Sequence, residues 1–423
     1  MGVISDTLKK LGGKKLGKIE KKWVFDASSS ISSSPIAAEI TKGELGIAFG
    51  TQDGKIYMLG ENAKIKWLYS IQEKIDEIQK MFLDEETAKS IYTTPAFADI
   101  NKDSKKEVLF GCDIGKFYAL SSSGKLLWDF KTDGGIRSSA LVEDINKDNK
   151  PEIIFGSNDR NLYVLDAKGK LLWKFKADSG IESDPAILRA KKTQIIFGSN
   201  DGRIYSLNTK GKLLWQFKTK GKITAKPAVG DIYNNKKNYI VIGSADNSLY
   251  VLDENGRLEW LYETEGRICS KACLVDINND KKLEIIFGSC DDNIYCLSCR
   301  GSKIWSYETD FWIVASPLVI DIDNDGKLEV IAGSYDSSVY VLDAEGIFLL
   351  DYMPGVSGVI QQPGHYNDLI TVEPGGYIGK KLWQYKTEGM IVGSTFITNT
   401  KKQKEIIIGI KEGKLDNLAY RKD

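Results

Sequence analysis

A single histidine, His365, in 423 residues leaves the chain without the general base of a hydrolytic triad and without the imidazoles that complete most zinc sites. Cysteine is scarce as well. There are six, and five of them (Cys269, Cys273, Cys290, Cys296 and Cys299) crowd into one stretch. Cys296 and Cys299 make a lone Cys-x-x-Cys, whereas a structural zinc site uses two such pairs or added histidines. Cys273 falls where sister segments carry Leu141 or Ala186, and Cys296 where they carry Val164 or Val341. The thiols therefore read as small core hydrophobes rather than as a metal or redox site.

Long apolar runs are also missing. None approaches the ~20 residues of a membrane span, and the start has no apolar core of the kind a secretory signal carries. Met1-Gly2 does not open a myristoylation signal, because Asp6 stands where Ser or Thr is needed. No membrane insertion is expected, and reduced thiols point to the cytoplasm; a chain relieved of a signal would instead be secreted. Net charge is absent too, with 58 Lys plus Arg against 58 Asp plus Glu, so no overall field draws the protein to nucleic acid or to an acidic membrane.

What the sequence has in abundance is repetition. Gly-Lys-x-x-Trp segments place Trp23, Trp67, Trp128, Trp173, Trp215, Trp260, Trp305 and Trp383, mostly 42 to 45 residues apart, with Leu350 in the tryptophan's place once. Around each lie four short strand signals. Between Lys131 and Phe175 these are Ile136–Val142 (strand A), Glu152–Gly156 (B), Asn161–Asp166 (C) and Lys170–Phe175 (D), separated by Asp- and Gly-rich turns. A period of that length with four strands per unit is the signature of propeller blades, and helical periodicity is missing from the repeats.

The expected fold is all-β, a single closed propeller of four-stranded blades. Nine units are counted, one of them degenerate (353–385, where strand C has almost vanished), or eight if that segment is only a linker. The last unit supplies A, B and C and ends at Tyr420, and Lys18–Phe25 is an orphan D strand. The two should pair and remove the open sheet edge. Two segments stand apart: residues 1–17, basic and with helical spacing, and an insertion over 71–90, where Ile71, Ile75, Ile78 and Phe82 mark an amphipathic helix. Residues 18–423 are otherwise propeller.

Four units carry an acidic loop after strand A: Asp99, Asn101, Asp103, Glu107; Asp144, Asn146, Asp148, Glu152; Asp276, Asn278, Asp280, Glu284; and Asp321, Asp323, Asp325, Glu329. Oxygens at positions 1, 3, 5 and 9 of a tight loop make the hard-ligand cage that calcium prefers. The competing reading is that Asp and Asn only close the turn while Glu pairs with a neighbouring Lys. The loop at Asp321 is the one with the Asp-x-Asp-x-Asp-Gly form, and at Asp231 the pattern degenerates to Tyr233, Asn235 and Tyr239.

These loops resemble the calcium loops of FG-GAP and VCBS propellers, including the integrin α-subunit. The Asp-Gly-x-Ile-Tyr-x-Leu-x-x-x-Gly-Lys-x-x-Trp part resembles the repeats of PQQ-type quinoprotein propellers and of the outer-membrane assembly lipoprotein. The resemblance implies structural calcium. The quinoprotein dehydrogenases hold their cofactor with an adjacent Cys-Cys disulfide and carry long insertions, neither of which is present, so no PQQ is expected.

The expected function is therefore that of a non-enzymatic scaffold with a protein or other macromolecular partner; a small-ligand or glycan-binding propeller is the alternative and a quinoprotein-like oxidoreductase a more distant one. Its binding surface should be the rim formed by the starts of the A strands, whose residues vary most between units. Phe311 and Trp312 are the leading contact residues there, with Arg267 among the varying rim positions, and Arg137, Glu182, Asp184, Lys226 and Lys271 are expected to line the funnel beneath.

Overall fold

The computed structural model describes residues 18–73, 87–348, 359–361, 369–371, 377–398 and 404–421. Every element among them is a strand, and the strands form eight four-stranded antiparallel sheets arranged as the blades of a ring, plus one two-stranded ribbon. The helices expected over 1–17 and within 71–90 fall on residues 1–17 and 74–86, outside the described residues; the flanking Ile71 and Ala88 are buried between blades 1 and 2.

Blade 3 shows how closely the repeat dictates the sheet. Its strands are Leu141–Glu143, Glu152–Gly156, Asn161–Leu165 and Leu171–Lys176, in sequential order. Strand A is shorter than its apolar pattern suggests. Residues before Leu141 bond to the next blade instead: the Ser138 hydroxyl donates to the Ser183 carbonyl (3.0 Å) and the Ser139 N–H to the Asp184 carboxylate (2.6 Å).

Tryptophan joins blade to blade. Each indole N–H among Trp23, Trp67, Trp128, Trp173, Trp215 and Trp260 donates to a carbonyl in the C–D turn of the following blade, and that of Trp305 to the Ala344 carbonyl in the extended strand C of blade 7, at 2.8 to 3.2 Å. The turn must lie flat on the ring to accept that bond. At Gly169 (φ +79°), a Cβ would stand 2.6 Å from the Trp128 ring, so both backbone conformation and space demand glycine. A second apolar layer, nearer the axis, is built from strands B and C, where Phe155 and Tyr163 stack at 5.6 Å. The Tyr163 hydroxyl donates to Asp159 in its own B–C turn (2.7 Å), which satisfies it in the core.

The ring closes as expected. Strand Lys18–Asp26 is the outer strand of blade 8, pairing antiparallel with Lys414–Arg421 from Lys18↔Arg421 to Asp26↔Lys414.

The ninth unit is not a blade. Strand C of blade 7 runs on through Ser338–Phe348, and the strand paired with it is Tyr377–Lys386, so Trp383 is the D-strand tryptophan of that same blade. The segment between them is an insertion in one C–D hairpin, containing the ribbon of Val359–Gln361 and Leu369–Thr371. Leu350 lies outside the described residues, and the eight-blade count is the correct one.

Candidate functional site

Antiparallel pairing fixes which groups share a face. A–B and C–D turns emerge on one side of the ring, B–C turns and D–A links on the other.

On the first side lie the acidic loops, and they share one backbone design. Asp99 accepts from the N–H groups of Asp103 (3.1 Å) and Ser104 (2.9 Å), Asn101 from Asp103 (2.8 Å), and Asp103 from Lys105 (2.8 Å). Glu107, buried, accepts from the Ile100 N–H at 2.9 Å. The loops of Asp144, Asn146, Asp148, Glu152 and of Asp276, Asn278, Asp280, Glu284 repeat these bonds. The loop at Asp231 folds the same way: Asp231 accepts from Asn235 (2.9 Å) and Lys236 (2.6 Å), although Tyr239 replaces the glutamate. A loop that has lost the ligand set yet keeps the conformation shows that metal does not dictate it.

Position 3 separates the loops. In blades 2 and 3 the side-chain amides of Asn101 and Asn146 donate to Glu107 (3.0 Å) and Glu152 (2.8 Å), and Asn278 reaches Glu284 at 3.5 Å. In blade 7 the residue is Asp323, a carboxylate with no N–H to offer Glu329. Oxygens of Asp321, Asp323 and Asp325 lie within 4.8 Å of one another, the sole such cluster among the described residues. Burial, followed by these three neighbours, pushes the Glu329 carboxyl up to about 7. A cation among the four carboxylates would relieve that repulsion. Position 6 follows suit: it has positive φ in every loop, held by Ser104, Asn149 and Lys281 in the others and by Gly326 (φ +89°) here. The donor set, all oxygen with glycine at the bend, fits calcium. The sequence reading that paired the glutamates with lysines is corrected: they are buried and bonded to backbone and, in blades 2, 3 and 6, to asparagine.

Along the axis runs a channel of about 610 Å³ lined by the starts of the A strands from every blade. Arg137, Glu182, Asp184, Lys226 and Lys271 all face it. Arg137 is clamped by Asp113 of the preceding blade (2.9 Å from both Nε and Nη2) and lies 4.8 Å over the Tyr92 ring. Asp184 holds Lys226 at 3.7 Å, and burial raises its pKa despite that lysine. Lys271 is exposed to the channel yet surrounded by protein; desolvation, then the like charge of Lys226, lowers its pKa.

At the rim above blades 6 and 7, Arg267 lies 5.1 Å over the Trp312 ring, and Trp312 stacks on Phe311 at 5.0 Å and 15°. Phe311 is 41% exposed. Of the binding residues named from sequence, Arg267, Phe311 and Trp312 form one cluster. Arg137, Glu182 and Lys226 line the channel below, with Asp184 and Lys271, as expected from the sequence. Sequence reasoning missed the Arg267–Trp312 contact; the signal was there, since both precede the buried isoleucine that opens each strand A region, Ile268 and Ile313, one blade apart.

Comparison with known proteins bears on the fold. The chain is similar to the crystal structure of BamB from Moraxella catarrhalis (16% identity, TM-score 0.65, covering 95% of this chain and 100% of that one). It is similar also to Saccharomyces cerevisiae Sqt1 (9%, TM-score 0.66, 95% and 99%) and to BBS1N in complex with ARL6DN (13%, TM-score 0.52, 77% and 91%). No curated protein matches by sequence. The model of the family described as "Beta-alanine-activating enzyme, beta-propeller" matches residues 79–352, and with its repeats, closed ring and inter-blade tryptophans the chain belongs to that beta-propeller family.

Proposed function

We propose that the protein is a non-catalytic propeller scaffold, working in the reducing setting of the cytoplasm, that binds a protein partner through the rim where the A strands begin. The Arg267–Trp312–Phe311 stack carries this reading: a column of guanidinium and two aromatic rings standing at the surface among polar side chains. Aromatic residues and arginine supply most of the energy of protein interfaces, because they bury much area with little loss of conformational freedom. The likeness to BBS1N, solved in complex with ARL6DN, supports a protein as the partner class. Replacing Phe311 and Trp312 together by alanine is expected to reduce recovery of a partner co-purified from the native host by about tenfold or more, at ~2 kcal/mol per anchor. Equal recovery from both proteins would remove this patch from consideration.

Calcium has a structural place in the same reading. The site it fits best is Asp321, Asp323, Asp325 and Glu329, where three carboxylates converge on a buried fourth. In the loops of blades 2, 3 and 6 asparagine N–H groups already serve the glutamate, so binding there is weaker. Elemental analysis of protein equilibrated with calcium should return about one tightly held ion per chain, and a chelator should lower the melting temperature. Asp323→Asn supplies the missing N–H and should abolish both effects while leaving the apo protein at least as stable. No bound calcium, or a chelator shift that survives Asp323→Asn, would exclude the site.

A further inference from the structure

We propose that Cys269 and Cys290 form a thiol–disulfide pair at the channel mouth, in which Cys269 attacks a small disulfide and Cys290 resolves the adduct.

The repeat brings the two side chains close together. Cys273 of strand A pairs with Ile286 of strand B in blade 6, and beyond that ladder the Cys290 N–H reaches the Arg267 carbonyl, so the segments carrying Cys269 and Cys290 run side by side. Sister blades carry Arg137 and Asn158, or Thr224 and Ala245, at the corresponding positions. Antiparallel neighbours stand roughly 4.5–5.5 Å apart at Cα, within the roughly 4.4–6.8 Å that a disulfide spans, and here the Cys290 N–H bonds to the Arg267 carbonyl, two residues before Cys269, at 3.0 Å. The two thiols interact electrostatically with each other and with the Arg267 guanidinium, and the Thr224 hydroxyl of blade 5 lies near Cys269. Both cysteines are free and partly accessible.

The neighbouring Cys290 thiol and the charge of Arg267 outweigh burial and bring Cys269 down to about 7, while Cys290 is pushed up. Tyr335, from the next blade, faces both and has its own pKa raised by burial. Cys269 lines the channel of about 610 Å³ and Cys290 does not, so Cys269 is the sulfur an incoming molecule meets. The other thiols are poor competitors. Cys112, Cys296 and Cys299 are buried, and burial raises the pKa of all three and of Cys273.

The chemistry balances with a low-molecular-weight disulfide as oxidant. The Cys269 thiolate attacks one of its sulfurs, the old S–S bond breaks, and one thiolate leaves. Cys290 then gives up its proton and attacks the Cys269 sulfur of the mixed disulfide, releasing the second thiolate. Two electrons pass to the small disulfide, which becomes two thiols. Because Arg267 rests on Trp312, loss of the anionic sulfur alters the charge beneath the rim cluster. The chemistry itself does not rest on the partner reading.

Full-length protein treated with oxidised glutathione, then alkylated with iodoacetamide and peptide-mapped, should show a disulfide linking Cys269 to Cys290, reversed by dithiothreitol. Cys290→Ser should stop at a stable glutathione adduct on Cys269, and Cys269→Ser should yield neither product at either position. In the untreated protein at pH 7, iodoacetamide should modify Cys269 at least about tenfold faster than Cys273 or Cys299. A disulfide or adduct forming first at another cysteine, or wild-type protein left unmodified by excess oxidised glutathione, would overturn the proposal.

Discussion

Deleting Lys18–Asp26 should leave no stably folded monomer at room temperature. The strand supplies the entire outer edge of blade 8, and with it Trp23 and Phe25, which pack on the core shared with blade 1, and Ile19, which packs on that shared with blade 7. Truncating one fully buried large aromatic costs ~3–5 kcal/mol; Trp23 and Phe25 are half-buried, so losing both, with the rest of the strand, takes a large share of the ~5–15 kcal/mol that holds a typical domain together. The Trp23 indole bond to the Glu61 carbonyl (3.0 Å) and the ion pair of Lys22 with Glu405 go as well. Strand Lys414–Arg421 would then present an unpaired edge bearing Leu415, Leu418 and Tyr420, a template for pairing with another chain. Size-exclusion chromatography should show aggregates or exchanged oligomers, and a synthetic peptide of residues 18–26 supplied in trans should restore the monomer in part. Phe25→Ala is the milder version, expected to lower stability by about 3 kcal/mol without abolishing folding. A deletion variant that melts like the parent would mean that the ring is not held by its two ends.

This closure was legible because both halves of blade 8 keep the repeat's pattern, and a half-blade with no sheet of its own can only complete another. The tryptophan ruler misled where it was followed across Leu350. Hairpin loops lengthen at an entropic cost that grows only with the logarithm of their length, so a blade can carry a long insertion between strands C and D and still form. The sheet resumes at Tyr377 with Trp383 facing Val341, and no ninth sheet is needed.

Site chemistry was less legible, for a related reason. One repeat pattern specifies both the acidic loops and their degenerate sister at Asp231, so the pattern reports a turn before it reports a ligand. What separates Asp321 from the rest is a single amide exchanged for a carboxylate at Asp323, visible in the sequence but meaningful only once Glu329 is known to be buried. Cys269 and Cys290 were seen as members of a cluster. That they lie on neighbouring segments follows from the pairing of blade 6, where the Cys290 N–H meets the Arg267 carbonyl, and the sequence leaves this open until the strands are paired. Cys296, by contrast, is fully buried, as its alignment with Val164 indicates.

The glycine that ends strand B of blade 7 is a steric requirement between blades, and Gly333→Ala should cost on the order of 2–3 kcal/mol. A Cβ built there would lie 2.4 Å from Cγ2 and 3.0 Å from Cβ of Ile391, the fully buried residue that starts strand A of blade 8. The same slot and key recur at Gly111 with Ile136, Gly156 with Ile181, and Gly288 with Ile313. Gly333 does not have positive φ, so alanine fits its backbone and the expected cost is all contact. That permits a clean cycle. Ile391→Ala alone should cost ~2–5 kcal/mol by leaving a cavity, but it removes the atom that the new methyl strikes, so the double variant should be more stable than the sum of the two by about 1 kcal/mol or more. Ile391→Val keeps Cγ2 and should give no such relief. Denaturant unfolding of the six proteins in the two cycles measures both couplings. Additive costs with Ile391→Ala, or relief by Ile391→Val as large, would show that the glycine serves its own strand and not the blade that follows.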